Sequence, residues 1–306
     1  MARRKPSDSA FPAGVVLIDK PLGITSHGVV SKLRKLFDTR RIGHGGTLDP
    51  AATGVLVVFT GRATRLAPYL GGGAKVYLTT IRFGEATTTD DAEGDICATG
   101  SVPNQTYAGI SASAERFLGY IDQIPPAVSA VHHEGERAYR IARRGDSVEL
   151  KPRRVHIDAI DVLEWNPPDL VARVTCGTGT YIRSLARDWG EHLGTHAHVR
   201  TLRRERSGVF RIEDAITLDE IADRLQSGAS YRELVTDPGA ALVEALGDQT
   251  VLNPDDTKRF VCGNDVRDDS GELGTVAVLD ASGTLLGVGE RRSDGSLAPV
   301  VVLTAP

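Results

Sequence analysis

The segment Arg40-Arg41-Ile42-Gly43-His44-Gly45-Gly46-Thr47-Leu48-Asp49-Pro50 is the most informative stretch of this sequence. Its glycines allow a backbone or a ligand to approach closely, and Pro50 biases Asp49 away from helical backbone angles. The segment is therefore predicted to be a loop or an irregular edge. A carboxylate in such a loop suits a general base or a nucleophile, whereas an aspartate before proline is also common in simple turns. The residues alone leave both interpretations of Asp49 open.

Regular elements are predicted on both sides of this loop. Gly14 to Asp19 is a short apolar strand, and Val55 to Phe59 has the continuous apolar pattern of a buried strand. Between them, Ser26 is a suitable cap for a helix. The apolar positions of that helix fall on one face and comprise Val29, Val30, Leu33, Leu36 and Phe37.

A second set of predicted elements carries further polar residues. Tyr77 to Phe83 alternates like a half-buried strand, and Leu170 to Cys176 does the same. Tyr77 suits either core packing or stacking on an unpaired base. The turn at 177–180 then leads into a helix with Arg183 in its first turn. Acids are preferred at that end of a helix, so Arg183 is interpreted either as the partner of a buried carboxylate or as a surface arginine.

Residues 131–156 form a basic, polar segment that follows the Pro125-Pro126 breaker. The segment is interpreted either as a solvated loop or as a flap that closes on RNA phosphates. Its seven basic residues are Arg137, Arg140, Arg143, Arg144, Lys151, Arg153 and Arg154.

The last 60 or so residues change in character near Gly247. Short apolar runs around 276–289, and again around Asp294-Gly295, predict two hairpins and hence a small β domain. Strands and helices elsewhere are mixed without strict βαβ alternation. The predicted fold class is therefore α+β, with a mixed, largely antiparallel central sheet and flanking helices.

Composition limits the classes of function. The net charge of −4 is unevenly distributed. Residues 1–210 carry a net charge of +6, and residues 211–306 carry a net charge of −10. A polyanion bound to the first part is compatible with this distribution. The three cysteines lie far apart without a CxxC spacing, so neither a zinc site nor a disulfide framework is expected. No apolar run approaches the roughly 18 residues of a membrane helix, and the cytosol is the expected compartment.

Five ordered blocks between residues 14 and 210 resemble the TruB family of tRNA pseudouridine synthases, which act on position 55 of the T-loop. The blocks begin with Gly14 to Ser26 and include the catalytic motif from His44 to Leu56. They continue with Lys75 to Gly94, the insertion from Gln123 to Gly145, and Gly179 to Leu185 with Ala197 to Arg204. The last 60 residues resemble a PUA-type RNA-binding domain. The sequence departs from the family where Gly45, Val128 and His132 replace the usual Thr, Tyr and Lys.

The resemblance implies roles for individual residues. Asp49 is the essential carboxylate, Arg183 is its expected charge partner, and Tyr77 stacks on the target base. Tyr181 and Leu202 line the uracil pocket, and His44 fills the space that the extruded base vacates. Asp91 belongs to the same substrate-binding set. The RNA backbone is expected to contact Arg137, Arg140, Arg143, Arg144, Arg153 and Arg154.

The resemblance also implies an organisation and a partner. Residues 1–12 are expected to be a disordered basic arm, 13–245 the catalytic domain with a thumb-like insertion at about 124–155, and 247–306 the PUA-like domain. The substrate is tRNA, and the protein is expected to be a monomer that needs no membrane, metal, cofactor or obligate protein partner. A covalent route and a glycal route both remain open.

Three alternatives follow from the same residues. The first is a guide-RNA-dependent pseudouridine synthase, which shares the aspartate motif but works in a complex. A non-catalytic RNA-binding or RNA-folding protein would use the same surface without needing Asp49. A nucleotide-binding enzyme is disfavoured because the GxG at 177–179 lacks both a Walker lysine and a third glycine.

Overall fold

The computed structural model describes residues 11–128 and 150–303, together with the strand backbone at 132–133 and 136–137. Most of the predicted basic arm lies outside the described residues. The same is true of Arg140, Arg143 and Arg144 in the insertion, and Arg137 is described only as part of a strand.

The regular elements are eighteen strands and seven α-helices in the described part of the chain. The strands are β1 Gly14–Lys20, β2 Ile42–His44, β3 Ala52–Thr60, β4 Lys75–Phe83, β5 Glu85–Thr87, β6 Ile96–Thr99, β7 Gly119–Gln123, β8 His132–His133, β9 Glu136–Arg137, β10 Arg153–Asn166, β11 Asp169–Cys176, β12 Ala197–Ser207, β13 Phe210–Arg211, β14 Gln249–Leu252, β15 Val266–Arg267, β16 Gly274–Asp280, β17 Leu285–Arg291 and β18 Ser296–Val302. The helices are α1 Ser26–Leu36, α2 Ala67–Leu70, α3 Tyr107–Ser113, α4 Ile182–His192, α5 Leu218–Gln226, α6 Gly239–Leu246 and α7 Pro254–Val261.

The chain forms two compact units. The first unit comprises Met1–Asp49, Val55–Gly73 and Ser207–Pro306, and the second comprises Pro50–Gly54 and Ala74–Arg206. Strand β3 therefore contributes its first residues to the second unit and the rest to the first.

In the first unit, strand β3 is buried on both faces, as its apolar run predicted. Val55, Val57 and Phe59 belong to one apolar cluster, which also contains buried residues of β16, β17 and β18. Leu56 and Val58 point into a second cluster with residues of β1, α1 and α5. The alternation of side chains along a strand allows one segment to join two cores.

The helix starts in the first unit include one capping box and one wrong prediction. Thr217 and Glu220 form a capping box at the start of α5. The predicted cap Ser26 is wrong, because Thr25 caps α1 by accepting a hydrogen bond from the Gly28 amide. The Ser26 hydroxyl is turned inward and bonds to another part of the chain.

The C-terminal segment of the first unit contains the two predicted hairpins, β16–β17 and β17–β18. They belong to a five-stranded sheet in the order β14-β16-β17-β18-β15. The Arg65 guanidinium donates to the carbonyls of Val300 and Val302, at 3.3 and 3.2 Å. The tail therefore shares both an apolar cluster and polar contacts with residues from the start of the chain.

In the second unit, strands β12, β4, β11, β10 and β7 are neighbours in that order. The pairs of β4 with β11, β11 with β10 and β10 with β7 are antiparallel, and the start of β3 runs parallel to β12. Strand β4 is alternately buried and half-buried, as predicted. The buried ring of Trp189 on α4 makes an edge contact with Phe83 of β4. The predicted α+β class with a mixed, largely antiparallel sheet is confirmed.

Candidate active site

Asp49 lies in the first unit, in a non-helical loop after strand β2, as the glycines and Pro50 predicted. His44 ends that strand and pairs with Val58 of β3. The next amide, that of Gly45, donates to the Val57 carbonyl at 2.9 Å. The loop therefore leaves the sheet at a fixed point, and Asp49 is half-buried.

The residue before Asp49 is held by a buried serine. The Ser26 hydroxyl donates to the Leu48 carbonyl oxygen at 2.9 Å and accepts from the Leu48 amide at 2.8 Å. Both residues are buried. Local sequence patterns carry no signal for this contact, because the two residues are separated by 22 positions.

The loop has no room for a larger side chain at Gly45, where the family usually has threonine. A Cβ atom at this position would lie 2.6 Å from the Phe59 ring and 3.3 Å from the Gly71 Cα. Phe59 is fully buried, so its ring has little freedom to move. The buried Phe59 ring of β3 therefore occupies the space that a side chain at position 45 would need.

Lys20 is a buried cation that the sequence interpretation did not single out. Its ammonium group donates to the carbonyls of Pro21 and Ile24, at 2.9 and 2.7 Å. The side chain is fully buried in the first unit. The sequence does contain a pattern that could have indicated this buried lysine, because Lys20 ends an apolar strand and directly precedes a Pro-Leu-Gly turn.

Arg183 is a buried cation of the second unit and contacts two loops. Its Nη1 atom lies 3.4 Å from an oxygen of Asp91 and donates to the Thr89 carbonyl at 2.9 Å. Its Nη2 atom donates to the Val128 carbonyl at 3.0 Å. The guanidinium is only 4% exposed, so the surface interpretation of this arginine is wrong.

Asp91 is held by hydrogen bonds from its own loop. Its carboxylate accepts from the Thr89 hydroxyl at 2.5 Å and from the Glu93 amide at 3.1 Å. The Thr87 hydroxyl donates to its carbonyl oxygen at 2.6 Å. These bonds hold the loop against the buried Arg183 guanidinium.

A second ion pair lies one turn further along helix α4. Arg187 contacts Asp90 at 2.9 Å and donates to the Ile124 carbonyl at 2.9 Å. Burial raises the pKa of Asp90, and the Arg187 charge opposes this change only in part. Burial would lower the pKa of Arg187, but Asp188 and Asp90 raise it overall. The start of α4 thus fixes both the 89–91 loop and the segment before the insertion.

Tyr181 is positioned through its backbone. The amide side chain of Gln123 donates to the Tyr181 carbonyl at 3.3 Å and accepts from the Tyr181 amide at 3.0 Å. Gln123 ends β7 and is buried. Sequence reasoning missed Gln123, because its role depends on a partner 58 residues away.

Tyr77 and Lys75 share one face of β4. Tyr77 is only 9% exposed and is in register with Val174 of β11, while Lys75 is opposite Cys176. Burial and the charge of Arg204 lower the pKa of Lys75 to about 8. Burial raises the pKa of the Cys176 thiol to about 11. Tyr77 is therefore shielded from water, and the lysine on the same strand face has a lowered pKa.

Leu202 lies on β12 of the second unit, where it is in register with Ala52 of β3. The segment Pro50–Gly54 that contains Ala52 directly follows Asp49 in the chain. Leu202 is half-buried.

The two described arginines of the basic segment, Arg153 and Arg154, are exposed at the start of β10. The Arg154 guanidinium lies over the ring of Tyr120 on β7, 4.7 Å from the ring centre. The His156 ring makes an edge contact with the same tyrosine at 4.6 Å. Tyr120 is 69% exposed. An aromatic and cationic surface therefore lies where the chain leaves the insertion.

Within residues 11–128 and 150–303, no group of three or more His, Cys, Asp or Glu side chains is arranged to hold a metal ion. No helix in these ranges combines the length and hydropathy needed to cross a membrane.

Solved structures with the same architecture define the class of this protein. A chain of a Cbf5-Nop10-Gar1 complex matches at a TM-score of 0.71 and 26% identity, covering 95% of this chain and 85% of that one. A chain of an H/ACA RNP bound to a substrate RNA containing 2′-deoxyuridine matches at a TM-score of 0.70, with the same identity and coverage. The protein therefore has the pseudouridine synthase fold.

Sequence comparisons give the family. The model of the TruB family pseudouridylate synthase N-terminal domain matches residues 34–182. The tRNA pseudouridylate synthase B C-terminal domain matches 183–243, and the pseudouridine synthase II TruB C-terminal model matches 249–303. The tRNA pseudouridine synthase B of Thermobifida fusca is 46% identical over 94% of this chain and 98% of its own length. That of Gloeobacter violaceus is 43% identical over 95% and 98%. The chain belongs to the TruB family of pseudouridylate synthases.

Proposed function

We propose that this chain converts uridine to pseudouridine at position 55 in the T-loop of tRNA, with Asp49 as the essential carboxylate. The observation that carries the proposal is the similarity to tRNA pseudouridine synthase B over nearly the whole of both chains. Asp49 stands in the block that resembles the catalytic motif of that family, and the structure gives it a half-buried place in a fixed loop.

The reaction breaks the bond from N1 of uracil to C1′ and forms a bond from C5 to C1′. Reactant and product contain the same atoms, so the chemistry needs no redox partner and no energy source. Asp49 either adds to C1′ or removes the 2′ proton to give a glycal. Both routes require an ionised carboxylate in a site that excludes water. From the family resemblance we assign Arg183 as the group that favours this charge; within the second unit its guanidinium pairs with Asp91.

The target uridine must leave a folded loop before it can react. Extrusion of the base costs a free energy on the order of a few kcal/mol. Stacking on an aromatic side chain offsets part of this cost, by roughly 1–3 kcal/mol per base. We assign this stacking to Tyr77, with Tyr181 and Leu202 lining the uracil pocket. Asp91 also belongs to the substrate-binding set, and His44 fills the vacated space.

The remaining affinity is assigned to phosphate contacts. Arg153 and Arg154 are exposed where β10 begins, and the sequence adds Arg137, Arg140, Arg143 and Arg144 in the insertion. Guanidinium groups bind phosphate with a fork of donors. Such contacts position the RNA without reading its sequence.

The proposal includes the organisation of the chain. We assign residues 13–245 to a catalytic domain, with an insertion at about 124–155, and residues 247–306 to a small PUA-like domain. The separate family models for 34–243 and 249–303 support a boundary near Gly247. We further propose that the protein works in the cytoplasm as a monomer without an obligate protein partner.

The direct test incubates the purified chain with an unmodified tRNA transcript and maps pseudouridine at single-nucleotide resolution. We expect modification at position 55 alone, and none in a transcript that carries cytidine there. Activity that appears only with an added guide RNA would instead assign the chain to the guide-dependent class. No modification, together with faster tRNA refolding, would indicate an RNA-folding protein.

A further inference from the structure

The start of helix α1 presents two adjacent hydroxyl groups with different partners. Thr25 accepts from the Gly28 amide at 2.9 Å and so caps the helix at its exposed end. Ser26 is turned into the interior, is only 2% exposed, and bonds to both backbone polar groups of Leu48. One hydroxyl serves the helix, and the other serves the loop that carries Asp49.

The Ser26 bonds restrain the backbone on the N-terminal side of Asp49. The Leu48 carbonyl belongs to the peptide plane that leads into Asp49, and this plane is rigid. A hydrogen bond to the carbonyl oxygen therefore fixes the orientation of the Asp49 amide. The bond from the Leu48 amide fixes the preceding plane in the same way. The side chain of Leu48 is itself buried and adds a packing restraint.

The C-terminal side of Asp49 is restrained by sequence. Pro50 has a fixed φ angle, and it confines the residue before it to extended backbone angles. Asp49 is thus bounded by a hydrogen-bonded peptide on one side and a proline on the other. Its position depends mainly on its own two side-chain torsions.

We propose that Ser26 is a positioning residue for Asp49. Its hydroxyl holds the Leu48–Asp49 peptide so that the carboxylate reaches the reacting ribose. This inference rests on the catalytic role of Asp49 in the proposed function. A displacement of about 1 Å at a reacting group can cost on the order of 100-fold in rate, and loss of the hydroxyl would leave two buried groups of Leu48 without this partner.

Thr25 provides a matched control at the adjacent position. Thr25→Ala removes a helix cap and so lowers stability, but it leaves the Leu48 contacts in place. Ser26→Ala removes the Leu48 contacts but keeps the cap. Ser26→Cys keeps the size of the side chain and replaces the hydroxyl with a weak donor and acceptor. Ser26→Thr restores a hydroxyl.

The experiment measures kcat, KM and tRNA Kd for these variants on a tRNA transcript, at a temperature where circular dichroism shows each to be folded. Wild type and Asp49→Asn are measured in the same series. We expect Thr25→Ala to keep kcat within about twofold of wild type. Ser26→Ala and Ser26→Cys should lose on the order of 100-fold in kcat with Kd nearly unchanged, and Ser26→Thr should recover most of the loss.

Two results would overturn the inference. In the first, Ser26→Cys has the same kcat as Thr25→Ala, while Asp49→Asn is inactive. The enzyme would then depend on Asp49 but not on the Ser26 hydroxyl. The second is a Ser26 series whose losses appear equally in Kd, which would assign the serine to RNA binding. An inactive wild type would remove the proposed function itself, and with it the reaction that Ser26 is said to serve.

Discussion

Arg183 and Asp91 form an ion pair of 3.4 Å between two buried side chains. The same guanidinium also donates to the carbonyls of Thr89 and Val128. One side chain at the start of α4 therefore joins the 89–91 loop to the segment that leads into the insertion. This arrangement fixes the guanidinium relative to the backbone of both segments.

Arg183→Lys should impair turnover although it keeps the charge. A lysine ammonium lacks the planar fork that allows one guanidinium to serve Asp91, Thr89 and Val128 together. We expect kcat to fall on the order of 100-fold, with a much smaller change in tRNA Kd. Single-turnover kinetics and filter binding measure the two quantities. Arg173→Lys is the control, since Arg173 forms a more exposed pair with Glu205. An equal loss in both variants would contradict a specific role for Arg183.

Gly45→Ala should destabilise the protein, because its Cβ would overlap the buried ring of Phe59. Overpacking of this kind typically costs about 1–3 kcal/mol. Gly43→Ala is the control, since its nearest neighbour would be Thr64 at an ordinary 3.7 Å. Urea denaturation measures both variants. Adding Phe59→Leu to Gly45→Ala should cost less than the sum of the single changes. Additive effects would show that the ring does not exclude the methyl group.

Arg154→Ala should weaken tRNA binding and change its salt dependence. Loss of one phosphate contact is expected to reduce the slope of log Kd against log salt by about one. Arg200→Ala, which removes an exposed arginine paired with Asp169, is the control. In the same assay Tyr120→Phe should bind like wild type, because the ring under the guanidinium remains. A slope for Arg154→Ala that equals that of wild type would exclude Arg154 from the interface.

The C-terminal sheet should show a pH-dependent stability that depends on Asp268. This carboxylate lies 2.7 Å from the buried Arg291 guanidinium. Burial would raise the pKa of Asp268, but hydrogen bonds from Ser270 and Arg291 outweigh it and lower the pKa overall. A pKa below that of the unfolded chain, about 3.9, means that the stabilisation is present above pH 4 and is lost as pH falls through the folded value.

The corresponding measurement compares melting temperatures at pH 7 and pH 3. Asp268→Asn should melt at a clearly lower temperature than wild type at pH 7. The difference in melting temperature between the two proteins should be smaller at pH 3. Asp269→Asn is the control, because Asp269 is exposed and pairs with the exposed Arg267. A gap of equal size at both pH values would mean that the charge of Asp268 contributes nothing.

Local sequence patterns were sufficient for most of the elements around the site. The alternation along β4 and β11, the double-faced apolar run of β3 and the Thr217 capping box each reflect forces between near neighbours in the chain. The loop at Asp49 was predictable for the same reason, since glycine and proline act on adjacent backbone.

The contacts that fix the site were not predictable, because they join distant segments. Ser26 resembles a helix cap in the sequence, yet its neighbour Thr25 takes that role and leaves Ser26 free to bond Leu48. Gln123 gives no local sign that it will bracket the backbone of Tyr181. The resemblance to a family supplied residue roles, but not these supporting contacts.

Tritium release from tRNA labelled at C5 of uridine is the sharpest test of Asp49 as the essential carboxylate, since bond formation at C5 expels the hydrogen there. We expect release by the wild-type chain and none by Asp49→Asn, with tRNA Kd nearly the same for both. Release by Asp49→Asn at a rate close to wild type would contradict this role of Asp49.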